Sequence, residues 1–187
     1  MLKNLKKNLK SEQKDKNIFD IVIYGSFIKD KDNFNDIDIM VIFKEGILKE
    51  RLDKIQSIKN KLKKLTNKKI DIKQMLLFDF FSKELLARSG LLLEGISVFN
   101  DKEFSQRLGF KAYTLFYYNL KNLSHTEKVK FNYILAGRNS KGIIEELKAK
   151  RLANGVFKVP IENSIIFNKI LKNNNVNFSK NNILEES

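Results

Sequence analysis

The 187-residue sequence contains no cysteine. That removes disulfides, zinc–thiolate sites and cysteine nucleophiles together, and it fits a reducing, cytoplasmic setting. There is one histidine, His125, placed one residue after a helix-capping serine, where it reads as a surface or capping residue. No catalytic role is assigned to it. Long apolar runs are also missing. The opening "MLKNLKKNLKSEQKDKN" is charged throughout and lacks the apolar centre of a signal peptide. Other apolar stretches are broken by charge before reaching the length of a membrane span. The single proline, Pro160, suits the start of a helix and interrupts nothing.

The chain does have enough apolar residues, 42%, to build an ordinary core. Its length suits one domain, or a domain with a smaller companion. The formal charge is +14, from 36 basic and 22 acidic residues. Such an excess suggests an anionic partner. However, the basic residues are nearly all lysine, in an Asn- and Ile-rich composition of the kind AT-rich coding produces. The excess is also even: residues 1–100 hold 21 basic and 14 acidic side chains, and residues 101–187 hold 15 and 8. This evenness favours a protein or small-molecule partner over nucleic acid.

Periodicity predicts a helix over 2–15, strands over 18–24 and 36–43, and a helix over 47–66. A strand over 69–77, a helix over 78–93 and a short extended segment near 95–101 follow. From residue 101 the pattern reads as mainly helical. It includes an aromatic cluster at Phe110, Tyr113, Phe116, Tyr117 and Tyr118 and a capping box at Ser124 and Glu127. A helix over "KGIIEELKAKRL" would carry Lys141, Lys148, Lys150 and Arg151 as a basic face. "GVFKV" reads as a strand, a last helix follows Pro160, and the tail after 173 reads as loosely ordered. The expected fold is α+β: a small mixed sheet with flanking helices over 1–100, then a mainly helical region over 101–187.

One stretch carries chemistry: "IVIYGSFIKDKDNFNDIDIMVIFK", residues 21–44. Alternation places Asp36, Asp38, Met40 and Ile42 on one side of the second strand, and Ile37, Ile39, Val41 and Phe43 on the other. Two ionised carboxylates about 7 Å apart along one strand repel each other unless a cation lies between them. The pair suits Mg²⁺, a hard ion that takes a few carboxylates and completes its shell with water and phosphate oxygens. Asp71, between Ile70 and Ile72, supplies a third acid if its strand is a neighbour. Gly25 allows close backbone approach to an anion, and Ser26 adds a hydroxyl donor. Asp30 and Asp32 read as loop residues.

An apolar strand, Gly-Ser, a short connection, Asp-x-Asp on the next strand and an acid on a later one resemble the nucleotidyltransferase superfamily that includes DNA polymerase beta. The likeness is above all to its minimal bacterial and archaeal members. It is carried by "IVIYGS", "DIDIMVIF" and "KIDIKQ", over residues 18–80. "LLLEGISVFND" is similar to the segment after the third acid in small archaeal relatives. "FNYILAGR" and "GVFKVPIE" are similar to a C-terminal extension of some archaeal members. Where many minimal members have Arg-x-Arg-Gly after the serine, this chain has "FIKD", and only Lys29 keeps a cation. Asn35 replaces a common serine.

The resemblance implies a Mg²⁺-dependent enzyme that moves NMP from an NTP, ATP among them, to a hydroxyl and releases pyrophosphate. Gly25, Ser26 and Lys29 would bind the nucleotide. Asp36 and Asp38 would hold two Mg²⁺ ions, with Asp71 as a further ligand that helps deprotonate the acceptor. The acceptor would be a protein, an RNA end or a small molecule. In members paired with an all-helical toxin it is that toxin's tyrosine. The alternative is a nucleotide- or nucleic-acid-binding module with little catalysis, because helix–Gly–helix over 125–150 followed by "GVFKV" resembles a winged helix.

Overall fold

The computed structural model describes residues 2–29, 34–138 and 140–187, so Asp30 and Asp32 lie outside the described residues. The chain divides into two compact units, Met1–Gly109 and Phe110–Ser187.

The first unit is built on a four-stranded sheet in the order β3-β2-β1-β4. Its strands are β1 (Ile18–Tyr24), β2 (Asp36–Phe43), β3 (Lys69–Leu76) and β4 (Ile96–Ser97). β1 runs antiparallel to both β2 and β4, whereas β2 and β3 are parallel. The sheet is mixed because α3 (Leu48–Lys63) carries the chain back across it, as a parallel pair requires. One sheet face presents Ile21, Ile23, Ile37, Ile39 and Val41 to α3 and to α1 (Leu2–Leu9). The other presents Val22, Tyr24, Met40, Ile42 and Met75 to Leu91 of α4 (Arg88–Glu94) and Phe104 of α5 (Phe104–Arg107). Ile37, Ile39 and Val41 are fully buried. A one-residue slip of β2 would exchange them for Asp36 and Asp38, so the core itself fixes which way the acids point.

A buried polar knot holds β1. The Asp20 carboxylate is inaccessible to solvent. It accepts hydrogen bonds from Ser97 Oγ and from the Ile21 N–H, each at 2.7 Å. Arg107 Nε lies 3.3 Å from its Oδ2. The same guanidinium donates to the Phe19 carbonyl at 2.8 Å. Burial pushes the Asp20 carboxyl above its ordinary range, against the pull of Ser97 and Arg107.

The helix expected over 78–93 is shorter. A 3₁₀ turn spans Leu77–Phe81, and α4 begins only at Arg88. Asp79 Oδ2 accepts the Leu76 N–H at 2.8 Å, and Arg88 Nε donates to the Phe80 carbonyl at 2.9 Å. These side chains bind backbone groups locally and offer the segment an alternative to a continuous helix.

The second unit corrects the expectation of a mainly helical region. It is organised around a four-stranded antiparallel sheet, order β6-β7-β5-β8. The strands are β5 (Phe110–Asn119), β6 (Lys150–Ala153), β7 (Val156–Pro160) and β8 (Asn177–Glu186). Between them lie α6 (His125–Ala136), α7 (Ile143–Glu146) and α8 (Ser164–Asn173). The aromatic cluster is therefore on a strand. Gly109, at φ 84°, ends the preceding turn, and Ala112, Thr114 and Phe116 alternate as buried positions along β5. The tail after 173 is also a strand, paired with β5 from Asn177 to Glu186. "KGIIEELKAKRL" is split: α7 stops at Glu146, Lys148 has a positive φ, and Lys150 and Arg151 lie on β6. No basic helix face exists there. The Ser124–Glu127 capping box opens α6 as expected, with the Ser124 N–H donating to Glu127 Oε2 at 2.8 Å. Among the described residues, no helix is long and apolar enough to cross a membrane.

Candidate active site

β1 ends where Gly25 takes φ 80°, a conformation that side-chain-bearing residues rarely adopt. Space imposes a second constraint: a Cβ at Gly25 would stand 2.3 Å from Asp38 Oδ2. The bare backbone at Gly25 is thus what lets β1 end against the Asp38 carboxylate. Next comes α2 (Ser26–Lys29). Phe27 is buried, its ring centroid 4.6 Å from that of Phe34, and this anchor leaves Ser26 exposed. The side chain of Lys29 lies outside the described residues.

Strand pairing brings the acids together. Asp38 stands opposite Tyr24 on β1 and opposite Asp71 on β3, and Asp36 stands opposite Lys69. In register, neighbouring residues point to the same side. Asp36, Asp38 and Asp71 therefore share one face at one end of the sheet, with Gly25 against Asp38. Lys69 and Lys73 share that face too. Lys73 Nζ lies 3.3 Å from Asp71 Oδ2.

Burial raises the Asp38 carboxyl above its ordinary pKa, and the neighbouring Asp36 and Asp71 raise it further. Lys73 and Lys69 oppose them without cancelling the effect. Tyr24 is pushed up to about 12 by burial and by the same Asp38 and Asp71 charges, so it remains a neutral phenol. The corner is short of positive charge at Asp38.

Among the described residues, no three acidic or histidine side chains are drawn closely enough to hold one ion together. Asp71 instead has the Lys73 ammonium within 3.3 Å. The donor chemistry nevertheless fits a hard divalent cation: all-oxygen carboxylates, like-charged, on one face, with Asp38 destabilised as an anion. Beside this corner an apolar hollow of about 460 Å³ opens along β3, lined by Met40, Ile72, Lys73, Met75 and Leu86 among others.

Three residues at this corner are absent from the reading of the sequence alone. Tyr24 closes the apolar run "IFDIVIY", and no local signal marks it as a site residue. Lys69 and Lys73 alternate with Asp71 in "KIDIK", so parity alone places them on its face once that strand is accepted.

A family model described as "Polymerase beta, Nucleotidyltransferase" matches residues 3–104. No curated protein and no solved structure matches the chain.

Proposed function

The chain belongs to the polymerase beta nucleotidyltransferase family, and from that premise we propose that it transfers NMP from an NTP, ATP by preference, to an acceptor hydroxyl and releases pyrophosphate. The observation that carries this reading is the Asp38 corner. There, a carboxylate raised by Asp36 and Asp71 abuts a glycine whose missing Cβ leaves the approach open.

Asp36 and Asp38 would hold Mg²⁺, one ion or two, with Asp71 as a further ligand. When bound, Mg²⁺ offsets negative charge at the α-phosphate and on the leaving pyrophosphate. The Gly25 backbone and the exposed Ser26 hydroxyl would position the phosphates. Lys29 is assigned to the same task by its place in the chain. Asp71, released from Lys73, would accept the proton of the incoming hydroxyl. The first unit contains no histidine, and Tyr24, held protonated, cannot act as the base.

The even spread of charge between the two halves of the chain slightly favours a protein or a small molecule over nucleic acid as the acceptor, and a toxin-like partner belongs to the favoured class. The Lys73–Asp71 contact favours the second reading, a nucleotide-binding module with little chemistry, because it occupies the third acid. Pyrophosphate release from each NTP with Mg²⁺, with and without added RNA, separates the two. Release that Asp38→Asn abolishes supports transfer, and nucleotide binding without release supports the module.

A further inference from the structure

Helix α3 carries lysines on two flanks of its buried stripe of Ile55, Ile58 and Leu62, and the flanks are treated differently. On one flank, Lys54 Nζ lies 2.9 Å from Glu12 and 3.0 Å from Asp15, and Lys61 Nζ lies 2.7 Å from Glu12. That flank is neutralised. Lys59 and Lys63, one turn apart on the other flank, are not. Among the described residues no carboxylate forms an ion pair with Lys59, Lys63, Lys68 or Lys69.

These four lysines, with Thr66 and Asn67, line a hollow of about 380 Å³ at the turn from α3 into β3. The turn has defined bonds. The Lys68 N–H donates to Thr66 Oγ1 at 3.1 Å. Lys68 Nζ donates to the Phe34 carbonyl at 3.2 Å and sits 5.0 Å from the centre of the Phe34 ring. Lys69 stands opposite Asp36, so the hollow lies at the sheet end where the acids begin. Asp71 is about 7 Å farther along the same strand. The even division of charge between the two halves of the chain hides this gathering.

Four like charges around one concavity oppose each other unless an anion joins them. Lysine serves phosphate as a point charge, and the Thr66 hydroxyl and Asn67 amide add neutral donors. The lining contains no arginine to grip a carboxylate at two points. We propose that this hollow binds a run of adjacent phosphates, supplied either by the polyphosphate end of a nucleotide or by the backbone of a nucleic-acid strand that reaches the acids.

The test uses the full chain without Mg²⁺ or turnover, so its outcome does not depend on whether the acids transfer NMP. Binding of a short single-stranded oligoribonucleotide and of inorganic tripolyphosphate is titrated at two salt concentrations. The wild type is compared with Lys59→Gln/Lys63→Gln/Lys68→Gln. A control, Lys121→Gln/Lys130→Gln/Lys172→Gln, loses the same charge from exposed positions in the second unit. The hollow variant is expected to lose about tenfold in affinity, with its salt slope reduced by about two for three lysines on a single strand. The control should lose less than about threefold. Loss of oligonucleotide binding identifies a strand as the source, and loss confined to tripolyphosphate identifies the nucleotide. Equal losses in the two variants, or no binding of either probe to the wild type, would overturn the proposal. If the triple variant melts well below the wild type, Lys63→Gln alone replaces it, with about a threefold loss expected.

Discussion

Replacing Asp38 by Asn should stabilise the protein without ligands and destroy its response to them. Asp36 and Asp38 sit about 7 Å apart along β2. Two unit charges at that distance repel by about 0.6 kcal/mol in bulk water and about 2.4 kcal/mol at an effective dielectric of 20. Asp71 adds to this from the next strand, and Lys73 and Lys69 subtract from it. The corner is partly solvated, so screening reduces the net to about 0.5–1 kcal/mol. For a unit the size of residues 1–109, that is a rise of about 3–6 °C in Tm. The pH dependence follows from the sign of the shift. The folded-state pKa of Asp38 is raised, so its ionisation costs stability. That cost is absent below the ordinary value of 3.8 and is fully present above the folded-state value. The advantage of Asn should therefore be present at pH 7 and shrink as pH falls toward 4. With Mg²⁺ and a non-hydrolysable NTP at about 100 times Kd, the wild type should gain about 2.7 kcal/mol, and Asp38→Asn should lose most of that gain. Differential scanning calorimetry with and without ligand reads both effects. A variant less stable than wild type without ligand, or one with an equal ligand-induced shift, would refute the reasoning.

Gly25→Ala should cost about 1–2 kcal/mol of stability from its positive φ alone. It should also weaken nucleotide binding at least tenfold by displacing the Asp38 carboxylate, as measured by urea melts and nucleotide titration. Asp20→Ala should cost about 3 kcal/mol, because it strands Arg107 and Ser97. Asp20→Asn, which keeps an acceptor for Ser97, should cost less, and equal losses would remove the acceptor argument. Glu12 is raised by burial, but hydrogen bonds and charge from Lys61 and Lys54 outweigh this and hold it below its ordinary 4.5. Its stabilising contribution is present above 4.5 and lost as pH falls through the lower folded-state value, so Glu12→Gln should flatten the acid limb of the stability curve.

The first sheet was legible in the sequence because β1 and β2 are β-branched apolar runs bounded by Gly-Ser and a polar loop, and the acid-bearing start of β2 alternates. In β2 the period of two separates Ile37, Ile39 and Val41 from Asp36 and Asp38 without knowledge of the partners. The acid corner followed from the same parity, once β3 lay beside β2. What parity does not reveal is pairing across long separations. β5 is joined to β8 at the far end of the chain, and neither strand has a strong local signature. β5 carries aromatics at spacings that also fit a helix, and β8 is polar at most positions. Asp20 was illegible for a related reason. An acid inside "IFDIVIY" has meaning only when Ser97 and Arg107, distant in sequence, close around it. Local side-chain bonds from Asp79 and Arg88 likewise undid a segment whose composition favours helix.

Nucleotidyl transfer by the Asp38 corner is read most directly from the fate of the α-phosphate. The protein is incubated with Mg²⁺ and ATP labelled in parallel at the α- and at the γ-phosphate, together with a whole-cell mixture of proteins, RNA and small molecules, and covalently labelled products are separated by class. Relative to the same mixture without the protein, added label is expected from α-ATP in an acceptor, none from γ-ATP, and none from either with Asp36→Asn or Asp38→Asn. Added label from γ-ATP, or added α-label undiminished in those variants, would contradict this reading.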